Sequence, residues 1–140
     1  MRGVTLIELL VVLVIISIAL SIIVPSVGQS YDKWTLRSTA QRTVALFRFA
    51  SDTARRDGID VVCYYRDHSL VLLRGGSVFK ELPIPTSVTV RPEKPQGAVF
   101  LTTGQIIASE QFVLANERGR KVTIKFGPLP GQVASLEDMR

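Results

Sequence analysis

Hydrophobic and polar positions divide the chain into three regimes. From Leu9 to Val24 nearly every residue is Leu, Val or Ile, with Ser17, Ala19 and Ser21 as small interruptions, and no charge appears before Asp32. About 20 apolar residues, each rising about 1.5 Å, match the hydrocarbon thickness of a bilayer. The β-branched residues disfavour helix weakly, but in lipid a single segment has no other way to satisfy its backbone groups. The run therefore predicts a membrane-inserted helix from Val4 to about Val24. Pro25 closes it and removes one helical hydrogen bond, which predicts a kink there.

From about Tyr31 to Arg56 the period changes. Leu36, Ala40, Val44, Phe47, Ala50 and Ala54 recur at steps of three and four, with Arg37, Gln41, Arg48, Asp52 and Arg55 between them. That spacing predicts an amphipathic helix with one face for a core. Arg55 and Arg56 suit the negative end of the helix dipole, and Gly58 is placed to stop it. One long helix, its first half in lipid and its second half on a domain, is the simplest account.

After Gly58 the pattern shortens toward strands. Ile59 to Tyr65 is rich in β-branched and aromatic residues, Arg66-Asp67-His68-Ser69 turns, and Leu70 to Leu73 returns. Gly75-Gly76 signals a tight hairpin into Ser77 to Leu82. Pro83 and Pro85 break the pairing, Ser87 to Arg91 alternates again, and Pro92 to Gly97 reads as a loop. Val99 to Thr102 reads as a short strand and Gly104 as a turn. Gln111 to Ala115 is expected to pair with Lys121 to Phe126 across Glu117-Arg118-Gly119-Arg120. Alternation would put Lys121, Thr123 and Lys125 on a solvated face. Pro128 to Gly131 should end the sheet, and the polar tail from Ala134 should fray. Helix first and antiparallel strands after it predict an α+β fold, the helix packed across an antiparallel sheet.

Glu8 changes the picture of the apolar run. A carboxylate one turn inside it costs up to a few kcal/mol on insertion scales, less near the interface. Snorkelling to the headgroups is the bland account. The sharper one gives it a partner: cleavage after Gly3 would free an α-amine on Val4, four residues away on the same side of the helix.

Composition narrows the chemistry. Of 140 residues, Lys and Arg number 17 and Asp and Glu 12, a formal net charge of +5. Roughly 110 residues follow the membrane segment, enough for one small domain and not for two. Mild basicity is weak evidence for nucleic acid or anionic lipid. The single cysteine, Cys63, excludes an internal disulfide and reads as a buried apolar thiol; the single histidine, His68, reads as a turn residue. Neighbours such as Asp67-His68-Ser69 cannot form a triad. Asp57 and Asp60 beside Gly58 read as capping or solvated. No paired acid and base, phosphate loop or metal cluster stands out, so the expectation is a protein that is not an enzyme and holds no catalytic residue, metal or cofactor.

Gly3-Val4-Thr5-Leu6-Ile7-Glu8-Leu9-Leu10-Val11-Val12 closely resembles the processing site of type IV pilins and of the pseudopilins of type II secretion systems. The resemblance covers about the first tenth of the chain. It implies cleavage by a prepilin peptidase between Gly3 and Val4, N-methylation of Val4, and a role for Glu8 in aligning subunits of a helical filament. A proline in the long helix of that family matches Pro25. Two features depart from the family's habit: Val4 stands where Phe or another bulky apolar residue is usual, and the leader is only Met1-Arg2-Gly3. A secretory signal peptide cleaved after Ser26-Val27-Gly28 is the rival reading, weakened by the length of the run and by Glu8. An anchored domain with an unprocessed N-terminus is another.

The implied organisation is a leader at 1–3, a transmembrane and assembly helix at 4–27, and a periplasmic pilin-like α+β domain at 28–140. The stretch Ala45 to Arg56 before a strand, with Phe112-Val113-Leu114, Gly119 to Ile124 and Gly131-Gln132-Val133 later, loosely resembles the pseudopilin H and FimT-type subfamily. The resemblance implies a minor pseudopilin of a type II secretion system, single-pass in the bacterial inner membrane and assembled into a periplasmic pseudopilus. Its implied partners are other pseudopilins or pilins, the prepilin peptidase, the inner-membrane assembly platform and membrane lipid.

The alternative is a minor type IV pilin that binds DNA for uptake or primes pilus assembly. Arg118, Arg120, Lys121 and Lys125 form the densest basic cluster and would supply weak, salt-sensitive contacts to phosphates. DNA-binding members of the FimT type carry Gly-Arg-x-Arg near the C-terminus. Here that stretch is Gly131-Gln132-Val133-Ala134, without either arginine, which disfavours DNA.

Overall fold

The computed structural model describes residues 5–91, 97–108, 111–127 and 136–139, the side chains of 23–29 and 136–139 excepted. The leader, the Gly3-Val4 junction, residues 92–96 of the expected loop at 92–97 and the segments 128–131 and 131–134 lie outside the described residues. By internal contacts the chain divides into Met1–Trp34 and Thr35–Arg140. Helix α1 runs from Leu6 to Asp57. Its helical assignment passes through residue 25, so Pro25 does not end it.

From Leu6 to Ile22 the helix is apolar on every side, Glu8 excepted. Leu6 to Ile22 are all exposed, Leu6 by 87% and Ile22 by 71%. The hydroxyls in this stretch are satisfied inside the helix: Ser17 Oγ donates to the Leu13 carbonyl at 2.8 Å and Ser21 Oγ to the Ile18 carbonyl at 2.7 Å.

In the second unit, the helix face expected to be apolar is the buried one. Leu36, Ala40, Val44, Phe47, Ala50 and Ala54 are all buried. Thr39, Thr43, Leu46, Ser51 and Thr53 widen that face. Thr43 is tolerated there because its Oγ1 donates to the Thr39 carbonyl at 2.9 Å. Arg37, Gln41, Arg48, Asp52 and Arg55 are exposed, as the period requires. The helix stops at Gly58, whose φ of 66° suits a residue without a Cβ and whose N–H reaches the Ala54 carbonyl at 3.1 Å.

Among the described residues nine strands follow, in two antiparallel sheets. The first has the order β3-β2-β1-β5-β6, with β1 Val61–Arg66, β2 Ser69–Arg74, β3 Ser77–Pro83, β5 Ala98–Phe100 and β6 Ile106–Ala108. The second has the order β4-β7-β8-β9, with β4 Val88–Arg91, β7 Phe112–Asn116, β8 Lys121–Ile124 and β9 Leu136–Met139. Two-residue turns set the first hairpins. Asp67 and His68 have φ of 49° and 58°, and Gly75 and Gly76 have 57° and 84°. Paired positive φ angles match the twist of the flanking strands.

Two expectations are corrected and one strand is added. β6 was not anticipated from the sequence. Within the tail expected to fray, Leu136–Met139 instead pairs with β8, Leu136 opposite Ile124 and Met139 opposite Lys121, so the second sheet continues beyond 128–131. Thr123 is not solvated; it is fully buried opposite Val113, while Lys121 and Lys125 stay exposed. β8 is an interior strand between β7 and β9, with buried Thr123 near its middle and exposed Lys121 at its start.

Phe47 joins the helix to both sheets. Its ring lies 5.6 Å from Phe100 of β5, 5.0 Å from Phe112 of β7 and 5.5 Å from Phe126. Burying such a ring contributes about 2–3 kcal/mol, and offset or edge-on partners add to it.

Candidate functional site

The first turn of α1 is built on Thr5. The Thr5 carbonyl accepts the N–H of Glu8 at 3.1 Å and of Leu9 at 3.2 Å, and its Oγ1 lies 3.4 Å from the Glu8 N–H. Thr5 thus caps the helix, with Glu8 three residues on, the spacing of a capping box. A carboxylate in the first turn also meets the positive end of the helix dipole. Glu8 is exposed and is the only charged residue between Leu6 and Ile22. Its neighbours Leu9 to Ile16 are exposed Leu, Val and Ile. Within this chain the site is one acidic group on an otherwise uncharged apolar rod, a surface that needs lipid or other apolar helices around it. The capping role of Thr5 was missed in the sequence, although the Thr-x-x-Glu spacing was there to be read.

Gly3 and Val4 lie outside the described residues. Pro25 lies within α1, with its side chain outside the description. Among the described residues no helix is long and apolar enough to cross a membrane. The described apolar side chains reach Ile22, and in sequence the run continues through Ile23 and Val24.

The basic residues sit on the β7–β8 hairpin. Asn116 shapes that turn. Its N–H donates to the Arg120 carbonyl at 3.0 Å, its carbonyl accepts the Gly119 N–H at 3.0 Å, and its Oδ1 accepts the Arg120 N–H at 2.9 Å. Gly119 supplies the φ of 79° that closes the turn. Arg118, Arg120 and Lys121 are exposed together at this end of β8. Lys125 is also exposed but lies four residues on, about 13 Å along an extended chain. The expected cluster of four is thus a trio and an outlier.

Other singled-out residues have structural roles. Asp57 Oδ2 meets Arg74 Nη1 at 2.5 Å, tying the end of α1 to β2. Asp60 Oδ1 accepts the Thr102 N–H at 3.0 Å. His68 holds its turn, and its carbonyl accepts the Ile84 N–H at 2.7 Å. Cys63 is buried on β1, where desolvation pushes its thiol up to about 12. No group of three or more His, Cys, Asp or Glu suited to a metal occurs among the described residues.

The family model for the prokaryotic N-terminal methylation motif matches residues 1–24. The match contains the Gly3-Val4 junction, Glu8 and the apolar run through Val24. The chain thus carries a methylation motif of the type IV pilin-like kind on an α+β domain. Neither the curated proteins nor the solved structures gave a match to this chain.

Proposed function

We propose that this chain is a minor pseudopilin of a type II secretion system, of the pseudopilin H and FimT-type subfamily. In this reading it is anchored in the inner membrane by α1 and carries its α+β domain in the periplasm. The observation that carries the reading is Glu8: one carboxylate, one turn into an exposed apolar helix, inside a matched N-terminal methylation motif. The fold supports it, since a helix packed on antiparallel strands is the architecture that the motif's family would require.

The mechanism follows from the surface of α1. A peptidase cuts after Gly3, and Val4 becomes a methylated amino terminus. In the bilayer, lipid covers Leu6 to Val24. In a filament, equivalent helices of other subunits cover the same surface, so the transfer costs little hydrophobic free energy. Glu8 sets the register, because its carboxylate is best placed opposite the cationic amine on Val4 of a neighbour. The assembled pseudopilus then helps move folded proteins across the outer membrane. The chain itself performs no chemistry in this account.

Mass spectrometry of the N-terminus from native membranes tests the reading. A chain beginning at methylated Val4 is expected. A chain beginning at Gln29, or one retaining Met1, overturns it. A second reading, a minor type IV pilin that contacts DNA, rests on the exposed trio Arg118, Arg120 and Lys121. Deleting the protein separates the two: loss of protein secretion supports the first, and loss of DNA uptake with normal secretion supports the second.

A further inference from the structure

Tyr31 and Trp34 are the aromatic residues of the unit Met1–Trp34, and both stand at its C-terminal end. Each is 65% exposed. Their ring centroids lie 6.5 Å apart, one helical turn between them, on a common face. Lys33, also exposed, lies between them in sequence. Two large rings side by side in water are an unusual surface for a polar stretch of helix, and each ring has an apolar body with one polar tip.

Their distance from Glu8 gives the surface a meaning. At about 1.5 Å per residue the pair lies about 35–40 Å along the helix from Glu8, while a bilayer has about 30 Å of hydrocarbon and about 40–45 Å including headgroups. With the Glu8 carboxylate in one headgroup layer, the two rings fall in the other. Trp and Tyr are the side chains that favour that layer, where the body meets acyl chain and the N–H or O–H meets ester and phosphate oxygens. Lys33 beside them suits phosphate as well.

We propose that Tyr31 and Trp34 form a clamp that seats in the phospholipid headgroup layer on the side opposite Glu8. The clamp fixes how far α1 enters the membrane. The inference rests on the membrane-anchored reading above and adds to it a second lipid-binding site with a defined depth.

Trp34 is the one tryptophan of the chain, so fluorescence reports this site alone. The full chain is reconstituted into phosphatidylethanolamine and phosphatidylglycerol vesicles and floated on a density gradient. Floating chains should show a blue-shifted emission and reduced quenching by acrylamide. A nitroxide attached near the lipid headgroup should quench about twofold more strongly than one near the acyl terminus. Moving the indole one turn, by Tyr31→Trp with Trp34→Phe, should preserve that preference. If the chain floats but acrylamide quenches Trp34 as in free solution, the clamp is wrong while membrane anchoring stands, and the rings serve a protein neighbour. Strongest quenching from the acyl terminus also overturns it, because the site is then buried past the headgroups. A chain that does not float overturns both the clamp and the anchor.

Discussion

A methyl group added to Gly97 would lie 1.2 Å from the carbonyl oxygen of Cys63. Gly97 immediately precedes β5, which pairs with β1 by setting Ala98 opposite Cys63. The backbones of the two segments meet here with no room for a side chain, and both contacting groups are main chain, which cannot swing aside. Gly97→Ala should therefore part β5 from β1 and cost about 3 kcal/mol, at the upper end of ordinary substitutions. Urea unfolding of the protein measures it. A loss below about 1 kcal/mol would mean that the strand entry shifts at little cost.

A fragment beginning at Gln29 should be a soluble, folded monomer. Among the described residues every buried apolar residue of the core, from Leu36 to Ile124, lies after that point. Size exclusion and thermal melting check this. Persistent aggregation without a melting transition would show that the preceding helix is needed for the fold.

Cys63 should make the domain sensitive to alkali. Burial raises its thiol from 9.0 to about 12, so the folded chain holds a proton that the unfolded chain releases between those values. Stability from the protonated thiol is complete below the unfolded value and is lost as pH rises to the folded one. Wild type should lose stability from about pH 9 to about pH 12 more steeply than Cys63→Ala, and its thiol should resist maleimide until the protein unfolds. Equal slopes would place the alkaline loss elsewhere.

Gly3→Ala, and more severely a bulkier residue, should block maturation. The reason is the Gly3-Val4 junction in the matched motif. A mutant that still yields chains starting at Val4 would remove prepilin processing from the account.

Glu8→Val should leave insertion intact and abolish assembly. The substitution makes the segment more apolar, which favours insertion. In a filament it would leave the Val4 amine of a neighbour unpaired in low dielectric, at about 3 kcal/mol or more. Membrane fractionation and crosslinking to partner subunits, compared with wild type, separate the two steps. Normal crosslinking and secretion would reduce Glu8 to a helix-capping residue beside Thr5. Loss from the membrane would instead give it a role in targeting.

The parts of this fold legible in sequence are those set by local chemistry. The stripe from Leu36 to Ala54 named the buried face, because a helix repeats its faces within the chain itself. Asp67-His68 and Gly75-Gly76 marked the hairpins, because few residues take positive φ in succession. The parts that were not legible depend on distant neighbours. β6 is three residues long and gains its strand character from β5. Leu136–Met139 has no strand-like alternation, and it becomes a strand because β8 offers it an open edge. Thr123 looked solvated beside two lysines, but it lies buried on an interior strand, with β7 on one side and β9 on the other. The motif around Glu8 was legible, whereas the distance between Arg120 and Lys125 needed the hairpin itself.

The surroundings of Phe47 have a consequence for timing. Its ring partners Phe100, Phe112 and Phe126 all emerge from the ribosome long after it does. Until then the helix stripe has no complete core to lie on, and contacts so far apart in sequence form slowly. On the membrane-anchored reading proposed above, the first segment enters the membrane early and the apolar stripe of the domain waits longest in its exposed state. A holding chaperone on the side where the domain folds would have its natural target between Leu36 and Ala54.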